Sequence, residues 1–155
     1  MLKPETCVKP AFTVIGREGS TADGPDFVAT LWAEANAHFA EVQDLVLRDE
    51  NGDFVGFWGA MSDLSRSFAP WEDNFTRGLY LAGVECAADA VPPAGWTRWR
   101  VPGFEFLRVK SDGPSTFTEM MAWMDGQGLS LAGAALDFTC PKTGENYLFC
   151  PIRRL

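Results

Sequence analysis

An internal repeat is the feature of this sequence that most restricts its fold. The tripeptide Asp-Gly-Pro occurs at 23–25 and again at 112–114, each time between a strand-like run and a helix-like run. Asp-Gly-Pro alone is common turn chemistry, so the agreement in helical phase after it carries more weight. An offset of 89 residues pairs the buried-face positions of the first helix with apolar residues of the second: Val28 with Phe117, Leu31 with Met120, Trp32 with Met121 and Ala35 with Met124.

Each repeat reads as strand, helix, strand, strand. Two such units can join edges into one antiparallel sheet with both helices on one face. The predicted fold class is therefore α+β, with a ligand groove on the face opposite the helices. We expect a single domain over 1–155, with halves at about 9–90 and 95–153 separated by the Pro- and Gly-containing run 91–95. The predicted strands are 9–17, 54–61, 77–87, 96–100 with 104–110, 129–140 and 147–153, and the predicted helices start at 25 and at 115.

Composition and charge limit the class of partner. The net charge of −8 argues against nucleic acid, because phosphate binding needs a basic face. Twelve Phe, six Trp and two Tyr exceed what a short chain needs for its core, and indicate a cavity lined with rings. We therefore predict a small apolar, aromatic or cationic organic ligand, while any protein partner stays unknown.

No targeting or cofactor signal stands out. The N-terminus lacks the apolar run of a signal peptide, and no stretch has the length needed to span a membrane. The four cysteines match no zinc spacing, and His38 is the single histidine. We expect a cytoplasmic protein with reduced thiols, no metal, no cofactor, no membrane partner and a solvated His38.

Glu85 is the first candidate site residue. It ends an apolar strand-like run that starts at Tyr80, and a buried carboxylate needs a partner or a raised pKa. One interpretation places Glu85 on the floor of a cleft, where it binds a cation or acts as a general base. The alternative is a strand-end carboxylate in water or paired with Arg.

Strand alternation turns Tyr80 toward the helices, so Tyr147 is the better candidate for a phenol beside Glu85.

The aromatic residues give candidate cavity walls. Every one of these residues could instead be ordinary core, and a Trp in a loop such as Trp71 has the fewest uses there. Trp58 and Met61 are three residues apart, so their side chains point to opposite faces of a regular strand. Only an irregular strand would turn both toward one groove. Asp137 reads as a strand-edge carboxylate, with a place in the groove as the alternative. The predicted ligand-binding residues are Trp58, Met61, Phe68 and Trp71 in one wall, Trp99, Phe104 and Phe106 in another, and Glu85 between them.

The sequence also resembles the GyrI-like (gyrase-inhibitor-like) small-molecule-binding domains, which are similar to the effector-binding domains of AraC-type and MerR-type transcription regulators. The resemblance covers roughly 9–153, and Tyr-x-x-Gly-Val-Glu at 80–85 is its most specific string. Supporting strings are Lys-Pro-Ala-Phe-Thr-Val-Ile-Gly at 9–16, Leu-Trp at 31–32 followed by Asn36 and Phe39, Trp-Gly-Ala-Met at 58–61, Pro-Ala-Gly-Trp at 93–96 and Tyr-Leu-Phe-Cys-Pro-Ile at 147–152.

The resemblance implies a duplicated strand-helix-strand-strand fold and a hydrophobic groove with Glu85 at its centre. The chain has no room for a helix-turn-helix module before Lys9 or after Arg153, so a stand-alone drug- or toxin-binding domain is expected. A second implication is a hydrolase that opens activated cyclopropane rings, with Glu85 and Tyr147 activating water. A gyrase-inhibitor-like protein contact is a third. The family often carries a Glu after an aromatic residue where this chain has Leu136-Asp137-Phe138.

Overall fold

The structure, a computed structural model, describes residues 2–155 as one continuous sheet with helices on one of its faces. The helices are α1 (Phe27–Ala37), a single turn α2 (Glu72–Phe75) and α3 (Ser115–Gly126). The strands are β1 (Glu5–Lys9), β2 (Phe12–Ser20), β3 (Phe57–Ser62), β4 (Leu79–Cys86), β5 (Thr97–Val101), β6 (Phe104–Lys110), β7 (Leu136–Thr139) and β8 (Asn146–Arg154).

The predicted repeat and fold class are confirmed. The first unit is β2-α1-β3-β4, and the second is β6-α3-β7-β8. The sheet is antiparallel throughout in the order β1-β6-β8-β7-β3-β4-β2-β5. The two units meet where β3 pairs with β7, and Gly59 lies opposite Asp137 in that register.

The outermost strands are exchanged between the units, and this curls the sheet. Strand β1 precedes the first unit but pairs with β6 of the second, while β5 precedes the second unit but pairs with β2 of the first. Each continues into its own unit through two residues, Pro10-Ala11 or Pro102-Gly103. Three residue steps span at most about 10 Å, so opposite ends of the sheet must approach each other. The two connections touch, because a Cβ on Gly103 would lie 3.0 Å from the nitrogen of Ala11.

The inner face of the curled sheet is filled with rings. One buried cluster, called the inner cluster below, joins side chains from strands at opposite ends of the sheet. The groove expected on this face is therefore occupied by side chains of the protein itself. The inner cluster contains Phe12, Val14, Trp58, Ala60, Leu79, Leu81, Trp99, Val101, Phe104, Phe106, Leu136 and Phe149, with Cys7, Phe68, Phe138 and Tyr147 partly buried against it.

The outer face carries α1 and α3. Leu31 and Ala35 of α1 are buried there, as are Met120 and Met124 of α3, so two of the residue pairs matched by the repeat occupy equivalent core positions. Helix α1 ends at Ala37. Two short 3₁₀ turns follow it, and the second begins just after the fully buried Val42.

Several predicted element bounds are wrong. The predicted strand 9–17 is divided, with Lys9 in β1 and β2 beginning at Phe12, because Pro10 has no N–H to donate. Only 136–139 of the predicted strand 129–140 is β-structure. The residues before it hold their place through single backbone bonds, such as Ala134 N–H to the carbonyl of Phe68 at 2.8 Å.

We predict that Gly83→Ala destabilises the protein by about 2–3 kcal/mol, as expected for overpacking. Gly83 lies opposite Gly16, and a Cβ on it would sit 2.3 Å from the carbonyl oxygen of Ile15. Gly126→Ala at the end of α3 is the control, since no atom lies within 4 Å of its Cβ position and Ala favours a helix. Urea unfolding measures both, and equal stabilities would contradict the close approach of β2 and β4.

Candidate functional site

Glu85 lies on the inner face of β4 and is 4% exposed. The indole N–H of Trp58 donates to its Oε1 at 2.9 Å, and the ammonium of Lys9 lies 3.2 Å from both carboxylate oxygens. Lys9 also sits 4.5 Å from the centre of the Phe12 ring. The charge of Glu85 is thus balanced inside the protein, by Lys in place of the Arg considered above. Its role in binding stays a prediction.

Five of the other predicted ligand-binding residues belong to the inner cluster. Trp58, Phe104 and Phe106 are at most 2% exposed, and Trp99 is nearly as deeply buried. Phe68 reaches the cluster from the β3–β4 connection and meets the Trp99 ring edge-on at 5.7 Å. These rings pack on one another, and none of the five lines the two cavities on the helix side of the sheet that are described below. Their contact with a ligand stays a prediction.

Met61 and Trp71 lie on the outer face, together with Tyr80. Trp58 and Met61 therefore point to opposite faces of the sheet, as their spacing predicts. Tyr80 points toward the helices, which is also as predicted. The indole N–H of Trp71 donates to the carbonyl of Leu79 at 2.9 Å. Its ring covers Gly78, where a Cβ would lie 2.1 Å from a ring carbon. Trp71 also lines one of the cavities on the helix side, described below.

Tyr147 does not meet Glu85. Its hydroxyl lies 3.5 Å from Glu145 Oε2, and its ring is 6.3 Å from that of Phe138. The hydrogen-bond partners of Glu85 are Lys9 and Trp58. The predicted pair of Glu85 and Tyr147 is therefore not joined by a hydrogen bond. Tyr147 does border a cavity on the helix side.

That side carries a groove, called the seam groove below, which follows the junction of β3 and β7 between α1 and α3. Its first part, the apolar cavity, has a volume of about 190 Å³ and an almost entirely apolar lining. An apolar lining of this kind suits a flat ring system. The apolar cavity is lined by Met61, Pro70, Trp71, Phe75, Phe117, Leu131, Ala134, Ala135, Asp137 and Leu148.

The second part, the polar cavity, has a volume of about 430 Å³. Asp137 is the one residue that lines both parts of the seam groove, which places its carboxylate where they meet. The polar cavity is lined by Val28, Trp32, Gly59, Tyr80, Ser111, Asp112, Gly113, Asp137, Thr139, Asn146 and Tyr147.

A chain of hydrogen bonds orients Asp137. The indole N–H of Trp32 donates to the hydroxyl oxygen of Tyr80 at 3.1 Å, and that hydroxyl donates to Asp137 Oδ2 at 3.3 Å. Gly59 permits this arrangement, because a Cβ there would lie 1.8 Å from the Tyr80 oxygen. Tyr80, although only 2% exposed, therefore has both a donor and an acceptor beside its hydroxyl.

Asp137 differs from Glu85 in its charge balance. No Lys, Arg or His of residues 2–155 forms an ion pair with it. Burial raises the pKa of Asp137 to about 6, and the hydrogen bond from Tyr80 offsets part of that rise. Burial and the charge of Asp137 raise the pKa of Tyr80 as well, which keeps the phenol neutral and donating. The carboxylate is ionised at neutral pH without a countercharge.

The outer wall of the apolar cavity is a strained connection. Between β3 and β4, five residues other than glycine have positive φ: Arg66, Phe68, Asp73, Asn74 and Phe75. Such conformations are rare outside glycine and cost energy unless contacts hold them. One such contact is the ring of Phe75, which meets Phe117 of α3 edge-on at 5.1 Å. The wall therefore closes against the helix of the other unit.

The sequence could have indicated Asp137. It stands between Leu136 and Phe138, an alternation that puts its side chain on the opposite face from both. The inner cluster takes Leu136 and Phe138, so Asp137 falls on the helix side with Tyr80. The missing information was the pairing of β3 with β7, which places these residues at the centre of the sheet rather than at an edge.

Solved structures with a similar fold include a protein bound to an organic cation and two chains from transcription regulation. SAV2435 in its complex with tetraphenylphosphonium has a TM-score of 0.67 at 12% identity, covering 97% of this chain and 94% of that one. The EcmrR C-terminal domain has a TM-score of 0.66 at 11% identity, covering 100% and 99%. A Staphylococcus aureus protein assigned to bacterial transcription regulation has a TM-score of 0.62 at 14% identity, covering 99% of both chains.

The chain therefore has the fold of the GyrI-like effector-binding domains, as the sequence resemblance predicts. Identities this low establish the fold alone. No protein-family model matches the sequence, and no curated protein matches it. Within residues 2–155, no helix has the length and apolar character needed to cross a membrane.

We predict that Lys9 and Glu85 stabilise the protein as a pair. Lys9→Met leaves the buried Glu85 charge without its cation and should cost about 2–3 kcal/mol, below the usual range for fully buried pairs because Lys9 is partly exposed. Glu85→Gln should cost less, and the double variant should lose less than the sum of the two. Urea unfolding of all four proteins gives the coupling energy. Additive losses would show that the two charges do not depend on each other.

Proposed function

We propose that the protein binds small organic cations with a flat apolar body in the seam groove. The apolar cavity holds the ring system, and the positive charge lies against Asp137. The observation that carries this proposal is that Asp137 is a half-buried carboxylate at the meeting point of two cavities, with no basic partner in residues 2–155. Such binding would serve drug or toxin sensing, or sequestration.

A bound cation would supply the countercharge that Asp137 lacks. A neutral ligand would leave the carboxylate unpaired and still partly dehydrated, whereas an anion would be repelled. The aromatic walls from Trp71, Phe75 and Phe117 add favourable contact with a cationic ring. The structurally similar SAV2435 is bound to tetraphenylphosphonium, an organic cation, which agrees with this ligand class.

The proposal assigns the acidic role to Asp137 in place of the Glu85 predicted from the sequence. Glu85 is charge-paired with Lys9 and hydrogen-bonded to Trp58, so a ligand cation would have to displace Lys9 to reach it. Asp137 needs no such displacement. Of the ligand-binding residues predicted from the sequence, Met61 and Trp71 border the seam groove and are retained in the proposal. Tyr147, predicted as a catalytic residue, also borders it.

We predict pH-dependent binding of N-butylquinolin-4-amine, a two-ring compound that stays protonated from roughly pH 5 to pH 8. Because the pKa of Asp137 is raised to about 6, the carboxylate loses its charge as the pH falls below that value. The affinity should be about tenfold weaker at pH 5 than at pH 8, since about one molecule in ten then carries an ionised Asp137. Isothermal titration calorimetry at each pH measures this change.

Two comparisons make the measurement specific. Asp137→Asn should weaken binding at pH 8 and remove the pH dependence, while Glu85→Gln should change neither. N-butylnaphthalen-1-amine has the same shape without the charge, and should bind weakly at every pH. If Glu85→Gln abolishes binding and Asp137→Asn leaves it intact, the inner face is the site and the seam groove is not.

Hydrolysis of activated cyclopropane rings is a second candidate function. Its support is a carboxylate and a phenol joined by a hydrogen bond of 3.3 Å beside a cavity, in Asp137 and Tyr80 rather than in Glu85 and Tyr147. A water molecule would give a proton to Asp137, and its oxygen would bond to a ring carbon. The ring C–C bond would break, and its electron pair would move to a conjugated carbonyl that takes a proton from solvent. A base with a pKa near 6 suits this step.

Incubation with a cyclopropane conjugated to a ketone tests the hydrolase. The expected product is heavier by one water in mass spectrometry, and Asp137→Asn should abolish it, whereas Tyr80→Phe should slow its formation. Loss of product in Glu85→Gln but not in Asp137→Asn would return the role of base to Glu85. Absence of any product from the wild-type protein would leave binding as the function of the groove.

A further inference from the structure

We infer that the polar cavity is a second subsite, which receives an amine-bearing arm of the same ligand. This inference rests on the proposed function, because the ring of the ligand occupies the apolar cavity and its first charge lies against Asp137. The preferred ligand class is then a flat ring cation that carries a second, aliphatic ammonium on a short arm.

The lining of the polar cavity is rich in hydrogen-bond acceptors. Asp112 contributes a carboxylate at its exposed edge, and Ser111 contributes a hydroxyl beside it. Opposite them, the hydroxyl of Thr139 donates to the side-chain oxygen of Asn146 at 2.8 Å, which leaves the oxygen of Thr139 free to accept. The hydroxyl of Tyr80 already donates to Asp137. Several acceptors in one cavity suit a ligand group with several N–H donors, such as an ammonium.

The charges around the polar cavity favour a cation over an anion. None of its lining residues is Lys, Arg or His, and two of them, Asp112 and Asp137, are acidic. The nearest basic group along the chain is Lys110, whose ammonium is held 3.0 Å from Glu145 Oε2. A phosphate or carboxylate arm would therefore meet two negative charges and no free positive one.

The spacing fixes the length of the arm. Asp137 and Thr139 are on the same face of β7, two residues apart, which is about 7 Å along a strand. Gly59 lies opposite Asp137 on β3, and the hydroxyl of Tyr80 fills the space that a side chain there would take, so the arm would pass over that hydroxyl. A four-carbon arm attached to the ring beside Asp137 reaches the level of Thr139, and its ammonium then lies near Asp112.

The test compares two ligands that differ only at the end of the arm. N-(4-aminobutyl)quinolin-4-amine carries the second ammonium, and N-butylquinolin-4-amine lacks it. The wild-type protein should bind the aminobutyl compound about fivefold more tightly at pH 8, as expected for one solvent-accessible charge contact of about 1 kcal/mol. Asp112→Asn should remove that advantage and make the two affinities equal. Asp125→Asn, an exposed residue near the end of α3, is the matched control and should change neither affinity.

The outcomes separate the two proposals. Equal affinities for both ligands in the wild-type protein would overturn the amine subsite while the proposed function stands. An equal loss of affinity for both ligands in Asp112→Asn would also overturn it, because the residue would then act on the groove as a whole. If neither ligand binds, the proposed function fails and the subsite fails with it. Salt should weaken the advantage of the aminobutyl compound, since the contact with Asp112 is exposed.

Discussion

The pairing of β3 with β7 is the interaction on which the rest of the structure depends. It joins the two repeated units into one sheet, and it brings the short β7 from a position at the edge of its own unit to the centre of the molecule. The space between α1 and α3 opens above this junction, since each helix packs on the strands of its own unit. The seam groove and the position of Asp137 at its floor both follow from this one strand pair.

Two acidic residues of this sheet show how environment decides what a carboxylate can do. Glu85 and Asp137 both lie on buried strands, and each accepts a hydrogen bond from a large aromatic side chain, Trp58 or Tyr80. Glu85 points inward, where Lys9 neutralises it and aromatic rings surround it. Asp137 points outward into a groove, where no basic side chain of residues 2–155 forms an ion pair with it. The first is consistent with a structural ion pair, and the second is the carboxylate that we propose binds a ligand cation.

The sequence predicted the architecture well because the repeat, the helical phase and the strand alternation are local signals. The same alternation correctly separated Trp58 from Met61 and turned Tyr80 toward the helices. It could not show which face stays open. That depends on how strongly the sheet curls, which is set by the exchange of β1 and β5 between units, and such long-range pairing leaves no local trace. Rings such as Phe104 and Phe106 therefore looked equally suited to a cavity wall and to a core.

The exchange of β1 and β5 has a consequence for how the chain can be divided. The sequence boundary at 91–95 separates two repeats, yet each repeat completes its part of the sheet with a strand from the other. A fragment that ends there would lack β5 beside β2, and the remaining fragment would lack β1 beside β6. Each would expose an unpaired strand edge and a row of inner rings, which favours aggregation. The two halves of this protein thus each depend on the other for an edge strand, although the sequence reads as a simple duplication.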